Sequence, residues 1–285
     1  MTQLQSSDAP SRFEVPTPDQ VGVACDEIER IAAPSVDEFF RTYVRKRRPV
    51  VVTGLTEGWR DDRWTPEGLA AAYGDTRVIA APLRNGTLAE SNNQGVRFRY
   101  VRLRDFVDSL TLPGSATDYI MAPTWDFPPG LQQDYRTPAY CDGSPYMQAK
   151  VWVGKAGTVT PMHRDVPHNF HVHLLGRKRW ILFSPRQSSQ VYPRSPFSGM
   201  PNFAQTDPER PDYERFPRLR DAKGLACICN PGDTLYIPSG WWHYTRSMDD
   251  IVSMNFWWGG RVILAATRLS QVFKRIRQIQ RGEWA

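Results

Sequence analysis

Histidine and cysteine are scarce in this chain, which holds five histidines and four cysteines in 285 residues. The cysteines are too few and too scattered for a disulfide framework, and the nearest pair, Cys227 and Cys229, lacks the spacing of a zinc knuckle. We therefore interpret all four as reduced thiols that fill small buried spaces, and we expect a cytoplasmic protein.

Long apolar runs are missing as well. No segment approaches the roughly 20 apolar residues that a membrane-spanning helix needs. The first residues contain no apolar stretch of the kind found in signal peptides. We expect neither a membrane segment nor a cleaved leader.

Excess charge is confined to one segment. The formal net charge is +6, but from Arg261 onward six basic residues accompany a single acidic one, Glu283. The rest of the chain is close to neutral, so its charge does not indicate a nucleic-acid groove. We do not expect nucleic acid as a partner.

Aromatic residues, proline and glycine are plentiful. The chain has 10 Trp, 11 Tyr and 13 Phe within an apolar fraction of 40%, which is ample for a buried core. Its 24 Pro and 20 Gly predict many turns, which is typical of a strand-rich architecture. The length suits one large domain with extensions, or two small ones.

Local signals place several elements. Ser35 and Glu38 have the capping-box spacing that begins a helix, and Thr65-Pro66 begins a second helix that Gly74 ends. Strands are predicted at 49–53, 118–121, 148–153 and 234–238, with a loop-rich segment at 185–223.

Three parts of the chain differ in character. Residues 1–24 are polar and form an arm without its own core, and residues 25–260 form one domain whose strands concentrate at 118–260. Residues 261–285 form a basic amphipathic helix with a short heptad seam of Val262, Ala266, Leu269, Phe273 and Ile276. We predict that this seam pairs two copies into a homodimer. Packing on its own body and binding to an acidic partner are the alternatives.

One set of polar residues has the composition of a metal site. His163 and Asp165 are two apart in a segment with an extended pattern, so their side chains leave the same face. A strand predicted from Tyr236 ends at His243, amid aromatic residues. Two histidines and one carboxylate are the facial triad of non-haem Fe(II), whereas zinc prefers three or four ligands and little open space. A plain hydrogen-bonded pair is the alternative for His163 and Asp165.

Two more histidines follow on the same segment. His171 and His173 alternate with apolar residues, so one face of the strand is polar and the other apolar. A second metal set is not expected, because the glutamate that a His-x-His cupin motif requires is missing. We predict that both histidines support the site or face the substrate. Structural histidines with satisfied hydrogen bonds are the alternative. His168 is interpreted as a turn residue.

Lys178 begins an apolar strand that runs to Phe183, and alternation turns it away from Arg177 and Arg179. An ammonium that points inward beside a metal needs an anion, because an unpaired buried charge is costly. A dicarboxylate cosubstrate that chelates the metal with one end would provide that anion with its other end.

These motifs together resemble the JmjC/cupin-like 2-oxoglutarate oxygenases, most closely the branch of the asparaginyl hydroxylase that inhibits hypoxia-inducible factor. The likeness runs in fixed order through Thr160-Pro-Met-His163-Arg-Asp165, Asn169-Phe170, Gly176-Arg-Lys178-Arg, Pro231-Gly-Asp-Thr-Leu-Tyr-Ile-Pro238, Trp241-Trp-His243 and Asn255-Phe-Trp257. A weaker likeness extends back to Arg48-Pro-Val-Val-Val-Thr-Gly54, so most of the chain is covered.

The resemblance implies an all-β core with flanking helices, arranged as a double-stranded β-helix (a jelly roll of the cupin and JmjC type) with a C-terminal helix. It implies that His163, Asp165 and His243 bind Fe(II). It also implies that the distal carboxylate of 2-oxoglutarate is held by Lys178, Thr160 and Tyr119, and that Asn169 and Asn255 lie beside its metal-chelating end. His171 and His173 are departures from the branch, and with Trp257 they are the predicted lining of the substrate pocket. Members of this branch dimerise through C-terminal helices, in agreement with the seam.

By the same resemblance, the chain is a dioxygenase that uses Fe(II), 2-oxoglutarate and O2 to hydroxylate a C–H bond, with succinate and CO2 as coproducts. A side chain of a protein or peptide is the favoured substrate. A small-molecule hydroxylase of the same mechanism and a non-catalytic cupin-type binding protein are the alternatives.

Overall fold

The computed structural model describes residues 22–59, 61–88, 96–112 and 118–280, with side chains described as far as Val272. Residues 1–21 of the predicted arm lie outside the described residues, and so do the side chains of Phe273 and Ile276 in the predicted seam. The predicted all-β core with flanking helices and a C-terminal helix is confirmed.

Strands dominate the described part of the chain. They are β1 (Cys25–Glu27), β2 (Arg30–Ala32), β3 (Val50–Thr53), β4 (Arg77–Arg84), β5 (Thr87–Leu88), β6 (Arg99–Arg102), β7 (Asp118–Pro123), β8 (Tyr146–Gly154), β9 (Val159–Arg164), β10 (His168–Leu175), β11 (Lys178–Phe183), β12 (Gly224–Cys229), β13 (Thr234–Ile237), β14 (Trp242–Ser247) and β15 (Ile251–Gly259). The α-helices are α1 (Val36–Phe39, continued by a π-helical turn at Phe40–Val44), α2 (Pro66–Tyr73), α3 (Leu103–Leu110) and α4 (Arg261–Gln280). Over the described ranges, none of these helices is both long and apolar enough to cross a bilayer.

The strands form two mainly antiparallel sheets that are joined through β4. The first sheet has the order β1-β12-β11-β14-β9-β5, and the second has the order β6-β4-β7-β8-β15-β10-β13-β3-β2. The sheets face each other, because Trp180 and Leu182 of the first pack in one cluster with Leu235 and Ile237 of the second. This two-layered arrangement is the jelly roll, and the site lies between its layers.

Different parts of the chain cover the outer faces of the two sheets. On the second sheet, Phe39 of α1 is fully buried, with its ring centroid 4.3 Å from that of Tyr140 and 5.4 Å from that of Phe170. On the first sheet, Val191 and Leu219 of the predicted loop-rich segment fill the outer cluster. The polar residues that alternate with these apolar ones therefore point to the inner faces, where they share the interior with the cluster around Trp180 and Leu235.

Helix boundaries follow the predicted capping signals. Ser35 Oγ accepts a hydrogen bond from the Glu38 amide at 3.3 Å, and Thr65 Oγ1 accepts one from the Gly68 amide at 2.9 Å. Each cap satisfies a backbone N–H that a helix start would otherwise leave unpaired. Pro66 occupies the first position of α2, where its missing N–H costs nothing.

Two local predictions are wrong. The strand from Tyr236 does not reach His243, because β13 ends at Ile237 and a turn leads to β14, of which His243 is the second residue. Gly240 makes that reversal possible with a φ of +76°. His168 is not a turn residue: it begins β10, and its Nδ1 accepts hydrogen bonds from Tyr236 Oη at 2.9 Å and from the Ser239 amide at 3.2 Å.

The C-terminal helix leaves an apolar face uncovered in the single chain. Val262 is 81% exposed and Leu269 is 57% exposed, and Ala266 between them is exposed too. A surface of this kind is costly in water, so the part of the predicted seam whose side chains are described is available to a partner.

Candidate metal centre

The structure brings His163, Asp165 and His243 together. His163 lies near the end of β9, Asp165 directly follows that strand, and His243 is paired opposite His163 on β14. One ligand atom from each residue lies within 4.8 Å of the others. The two imidazole rings are 4.1 Å apart between centroids, and His243 Nε2 is 3.7 Å from Asp165 Oδ2. Three donors from two neighbouring strands therefore point at one position.

Both imidazoles are held in the tautomer that a metal ligand needs. His163 Nδ1 donates to the carbonyl oxygen of Pro161 at 2.8 Å, and His243 Nδ1 donates to that of Trp241 at 3.1 Å. A carbonyl oxygen can only accept, so in both rings the proton is on Nδ1. The lone pair of each Nε2 is consequently free to bind a cation.

His243 is uncharged at neutral pH. Burial and then the nearby His163 lower the pKa of its imidazole, Asp165 opposes both effects, and the resulting pKa is about 4. The close approach of His243 and Asp165 is therefore not an ion pair at neutral pH. A neutral imidazole beside a carboxylate is a donor set for a divalent cation.

Neighbouring side chains fix the orientation of these groups. Trp257 Nε1 donates to Asp165 Oδ2 at 2.8 Å, and the Gly240 amide donates to the Asp165 carbonyl oxygen at 2.8 Å. Phe203 stacks on His163 with a centroid separation of 5.0 Å. Phe203 comes from the loop-rich segment, and nothing in the sequence marked it as a neighbour of the site.

We expect Trp257→Phe to lower the affinity of the site for Mn²⁺ about 10-fold, because residues that orient a metal ligand typically contribute about 10–100-fold. The phenyl ring keeps most of the aromatic volume but loses the N–H that holds the Asp165 carboxylate. Calorimetric titration with Mn²⁺ measures the change. Trp125→Phe is the matched control, since Trp125 is 66% exposed. An unchanged affinity in Trp257→Phe would show that the indole only fills space.

The donor set fits non-haem iron better than a structural zinc ion. It offers two nitrogens and one carboxylate, and within the described ranges no fourth histidine, cysteine or acidic residue joins the group. His163 and Asp165 are partly exposed, so a cation here is reachable from outside. Such a facial triad leaves coordination positions for other ligands.

Lys178 lies deep between the sheets. Its side chain is 1% exposed, and Nζ donates to Tyr119 Oη at 2.8 Å. Burial lowers the pKa of its ammonium to about 7. Within the described part of the chain, no carboxylate forms an ion pair with it. The ammonium is thus placed to receive an anion from a ligand.

The other predicted cosubstrate residues are also buried in this interior. Thr160 lies opposite Thr245 on β14. Two residues further along β14, Ser247 lies opposite Lys178. Asn169 Oδ1 accepts a hydrogen bond from Asn255 Nδ2 at 3.1 Å.

Sequence reasoning missed Trp152, whose Nε1 donates to Asn255 Oδ1 at 2.7 Å and so orients that amide pair. The alternation of side chains along β8 could have indicated this residue. Trp152 lies opposite Ser253 on β15, so its side chain faces the same interior as Ser253 and Asn255.

His171 and His173 lie at the lysine end of the interior. His173 Nε2 accepts a hydrogen bond from Trp180 Nε1 at 3.2 Å, and the His171 ring is 4.8 Å from the Trp180 ring between centroids. Over the described residues, Trp257 makes no ring contact with either histidine. Trp152 lies between them, with its ring centroid 6.1 Å from that of His171 and 6.2 Å from that of Trp257. That His171, His173 and Trp257 line the substrate pocket stays a prediction.

Comparison with known proteins places the chain among cupin-like proteins. A family model described as "Cupin-like domain" matches residues 36–261. "Lysine-specific demethylase 8" of Danio rerio is 29% identical over 243 residues, which are 81% of this chain and 58% of that protein. The protein of the same name from Xenopus tropicalis is 31% identical over 238 residues, 81% of this chain and 52% of that protein. "Jumonji C domain-containing protein 5" of Drosophila melanogaster is 30% identical over 243 residues, 82% and 60% respectively. The chain thus spans little more than half the length of these relatives.

Proposed function

The chain belongs to the cupin-like domain family, and on that premise we propose that it is an Fe(II)- and 2-oxoglutarate-dependent dioxygenase. One oxygen atom of O2 enters a substrate C–H bond, and the other enters the succinate that forms, with CO2, from 2-oxoglutarate. The convergence of His163, Asp165 and His243 is the observation that carries this proposal. A buried ammonium without a carboxylate partner in the same interior supports it.

The protein's own residues bind, orient and shield the reactants. His163, Asp165 and His243 would hold the iron, which together with 2-oxoglutarate and O2 supplies the oxidising power for C–H hydroxylation. Lys178 receives the distal carboxylate, and Tyr119 Oη, 2.8 Å from Nζ, fixes the direction of the ammonium. The walls around Lys178 are buried, so these charge-assisted contacts act in a medium of low dielectric constant.

A side chain of a protein or peptide is the substrate that we favour. The names of the relatives support this choice, since two of them are called lysine-specific demethylases. The motif order from Thr160 to Trp257 supports the finer placement in the asparaginyl hydroxylase branch, and that placement stays a prediction. Localisation in the cytoplasm also stays a prediction.

The substrate class is tested with the iron-loaded protein, 2-oxoglutarate and two fractions of a cell extract. One fraction contains proteolytic peptides and the other contains metabolites. We expect succinate formation to rise with the peptides, and mass spectrometry to find peptides that have gained one oxygen atom. Stimulation by the metabolite fraction alone would instead support a small-molecule hydroxylase. If neither fraction is altered and no 2-oxoglutarate is consumed, the chain is a binding protein.

N-demethylation is a second candidate, and the printed names of the relatives favour it. It begins with the same hydroxylation, but the hydroxymethyl product on nitrogen decomposes and releases formaldehyde. Peptides carrying methyl-lysine separate the two reactions. Formaldehyde in an amount equal to the succinate formed indicates demethylation, and a stable gain of oxygen indicates hydroxylation.

Dimerisation through α4 is part of the proposal. The exposed apolar positions Val262, Ala266 and Leu269 support it. Sedimentation velocity on the whole chain and on Leu269→Glu tests it. A wild-type chain that sediments as a monomer at micromolar concentration would contradict it.

A further inference from the structure

Four buried polar atoms on the inner walls of the barrel have no hydrogen-bond partner among the described residues. They are His171 Nε2, Thr245 Oγ1, Ser247 Oγ and Ser253 Oγ. Their side chains belong to residues that are at most 4% exposed. Buried polar atoms are nearly always hydrogen-bonded, because an unpaired one loses its hydrogen bonds to water on folding and forms none in the protein to compensate. A group of them along one interior indicates that a polar ligand belongs there.

The strand registers place two of these atoms in the same space as Lys178. Thr245 lies opposite Trp180 on one side and opposite Thr160 on the other. Directly paired residues point to the same face of a sheet, so Thr245 faces inward with Trp180 and Thr160. On the other sheet, His171 lies opposite Asn255, which is one of the predicted cosubstrate residues.

Trp180 shows where His171 lies along the interior. The ring of Trp180 is 4.8 Å from that of His171 and 6.2 Å from that of His243 between centroids. Lys178 Nζ is 5.7 Å from the centroid of the Trp180 ring. His171 is therefore beside a ring that contacts both the buried ammonium and a predicted iron ligand. A dicarboxylate that extends from the Lys178 ammonium to the metal held by His243 therefore passes close to His171.

His171 and His173 differ in the hydrogen bonding of their Nε2 atoms. His173 Nε2 is occupied by the indole N–H of Trp180, whereas His171 Nε2 is unpaired. Burial, followed by the positive charge of Lys178, lowers the pKa of His171 well below its usual value. The ring is neutral and carries one N–H, which can be given to an anionic oxygen.

We infer that His171 Nε2 and Thr245 Oγ1 are two further contacts for the dicarboxylate cosubstrate, donating hydrogen bonds to its oxygens between Lys178 and the metal. This inference rests on the proposed function. It assigns His171 to the cosubstrate rather than to the substrate, and it leaves His173 a structural role in holding Trp180.

Binding of 2-oxoglutarate to the protein loaded with Mn²⁺ tests the inference without turnover. Tryptophan fluorescence follows the titration, since Trp180 and Trp152 both lie against His171. We expect the Kd for 2-oxoglutarate to rise about tenfold in His171→Phe and again in Thr245→Val, the loss typical of one hydrogen bond to a charged group. His171→Gln retains an N–H donor and should recover part of the affinity.

Thr234→Val is the matched control. Thr234 Oγ1 is also buried and unpaired, but Thr234 lies opposite Val52 and Val172, which belong to the core on the outer face of the second sheet. The same chemical change there should leave the Kd unchanged.

The outcomes separate this inference from the proposed function. A wild-type protein that binds Mn²⁺ but gives no signal with 2-oxoglutarate would refute the proposed function. A wild-type protein that binds 2-oxoglutarate, with both His171→Phe and Thr245→Val binding it equally well, would overturn only the inference and would mean that water satisfies the two atoms. Thr245→Val preserves the shape of the side chain, so it decides the matter even if His171→Phe does not fold.

Discussion

Asp165→Ala is expected to give a folded protein that does not retain iron and does not convert 2-oxoglutarate. Asp165 is the one anionic donor of the set, and a neutral pair of imidazoles holds a divalent cation poorly without it. We expect metal affinity and turnover to fall by well over about 100-fold, because residues that merely orient a ligand already cost about 10–100-fold. Metal content after loading under anaerobic conditions measures the first effect, and succinate formation measures the second.

The melting temperature provides an independent measurement of the same loss. A cation that binds only the folded protein raises its stability in proportion to the logarithm of its concentration. Mn²⁺ should therefore raise the melting temperature of the wild-type protein but not that of Asp165→Ala. Asp142→Ala is the control, since Asp142 is exposed and outside the group. Normal iron content in Asp165→Ala would show that the three side chains do not act as a metal site.

Lys178→Met is expected to retain iron and to lose affinity for 2-oxoglutarate. The methionine side chain fills much of the same buried space, but it removes the ammonium that would receive the distal carboxylate. A charge-assisted hydrogen bond contributes about 1.5–3 kcal/mol, so the Kd should rise by about tenfold or more. Iron content and the concentration of 2-oxoglutarate for half-maximal succinate formation are both measured. Equal loss of iron in Lys178→Met and Asp165→Ala would contradict this division of roles.

The pH dependence of binding gives a second test of Lys178. Because burial lowers the pKa of its ammonium to about 7 in the free protein, the lysine is charged below that pH and loses its proton above it. Binding of the dianion requires the charged form, so the affinity for 2-oxoglutarate should be constant below about pH 7 and should fall as the pH rises above it. Titrations of the Mn²⁺-loaded protein between about pH 6 and pH 9 measure this fall. The same fall in Lys178→Met would assign it to another group.

The local elements were predictable because their signals are local. The cap at Ser35, the helix from Pro66 to the residue before Gly74, and the strand after the 230–233 turn all depend on residues within a few positions of one another. The same kind of reasoning failed at His243. Pro238, Ser239 and Gly240 interrupt the apolar residues of 236–243, and the prediction of one strand overlooked this turn signal. In the structure Gly240 makes the turn, and its amide donates a hydrogen bond to the carbonyl oxygen of Asp165.

The sequence by itself determined the chemistry of the site: one carboxylate and two histidines with the order and spacing of a facial triad, and a lysine on an alternating strand. It also determined which residues share a face, because side chains alternate along every strand. Only the tertiary structure decided which faces meet. In the tertiary structure Phe203 stacks on His163, and Trp257 donates a hydrogen bond to Asp165. His173 Nε2 has a hydrogen-bond partner there, whereas His171 Nε2 has none among the described residues. These contacts depend on strand registers between residues that are far apart in the chain, and a register is fixed by the packing of the whole barrel rather than by any short segment of it.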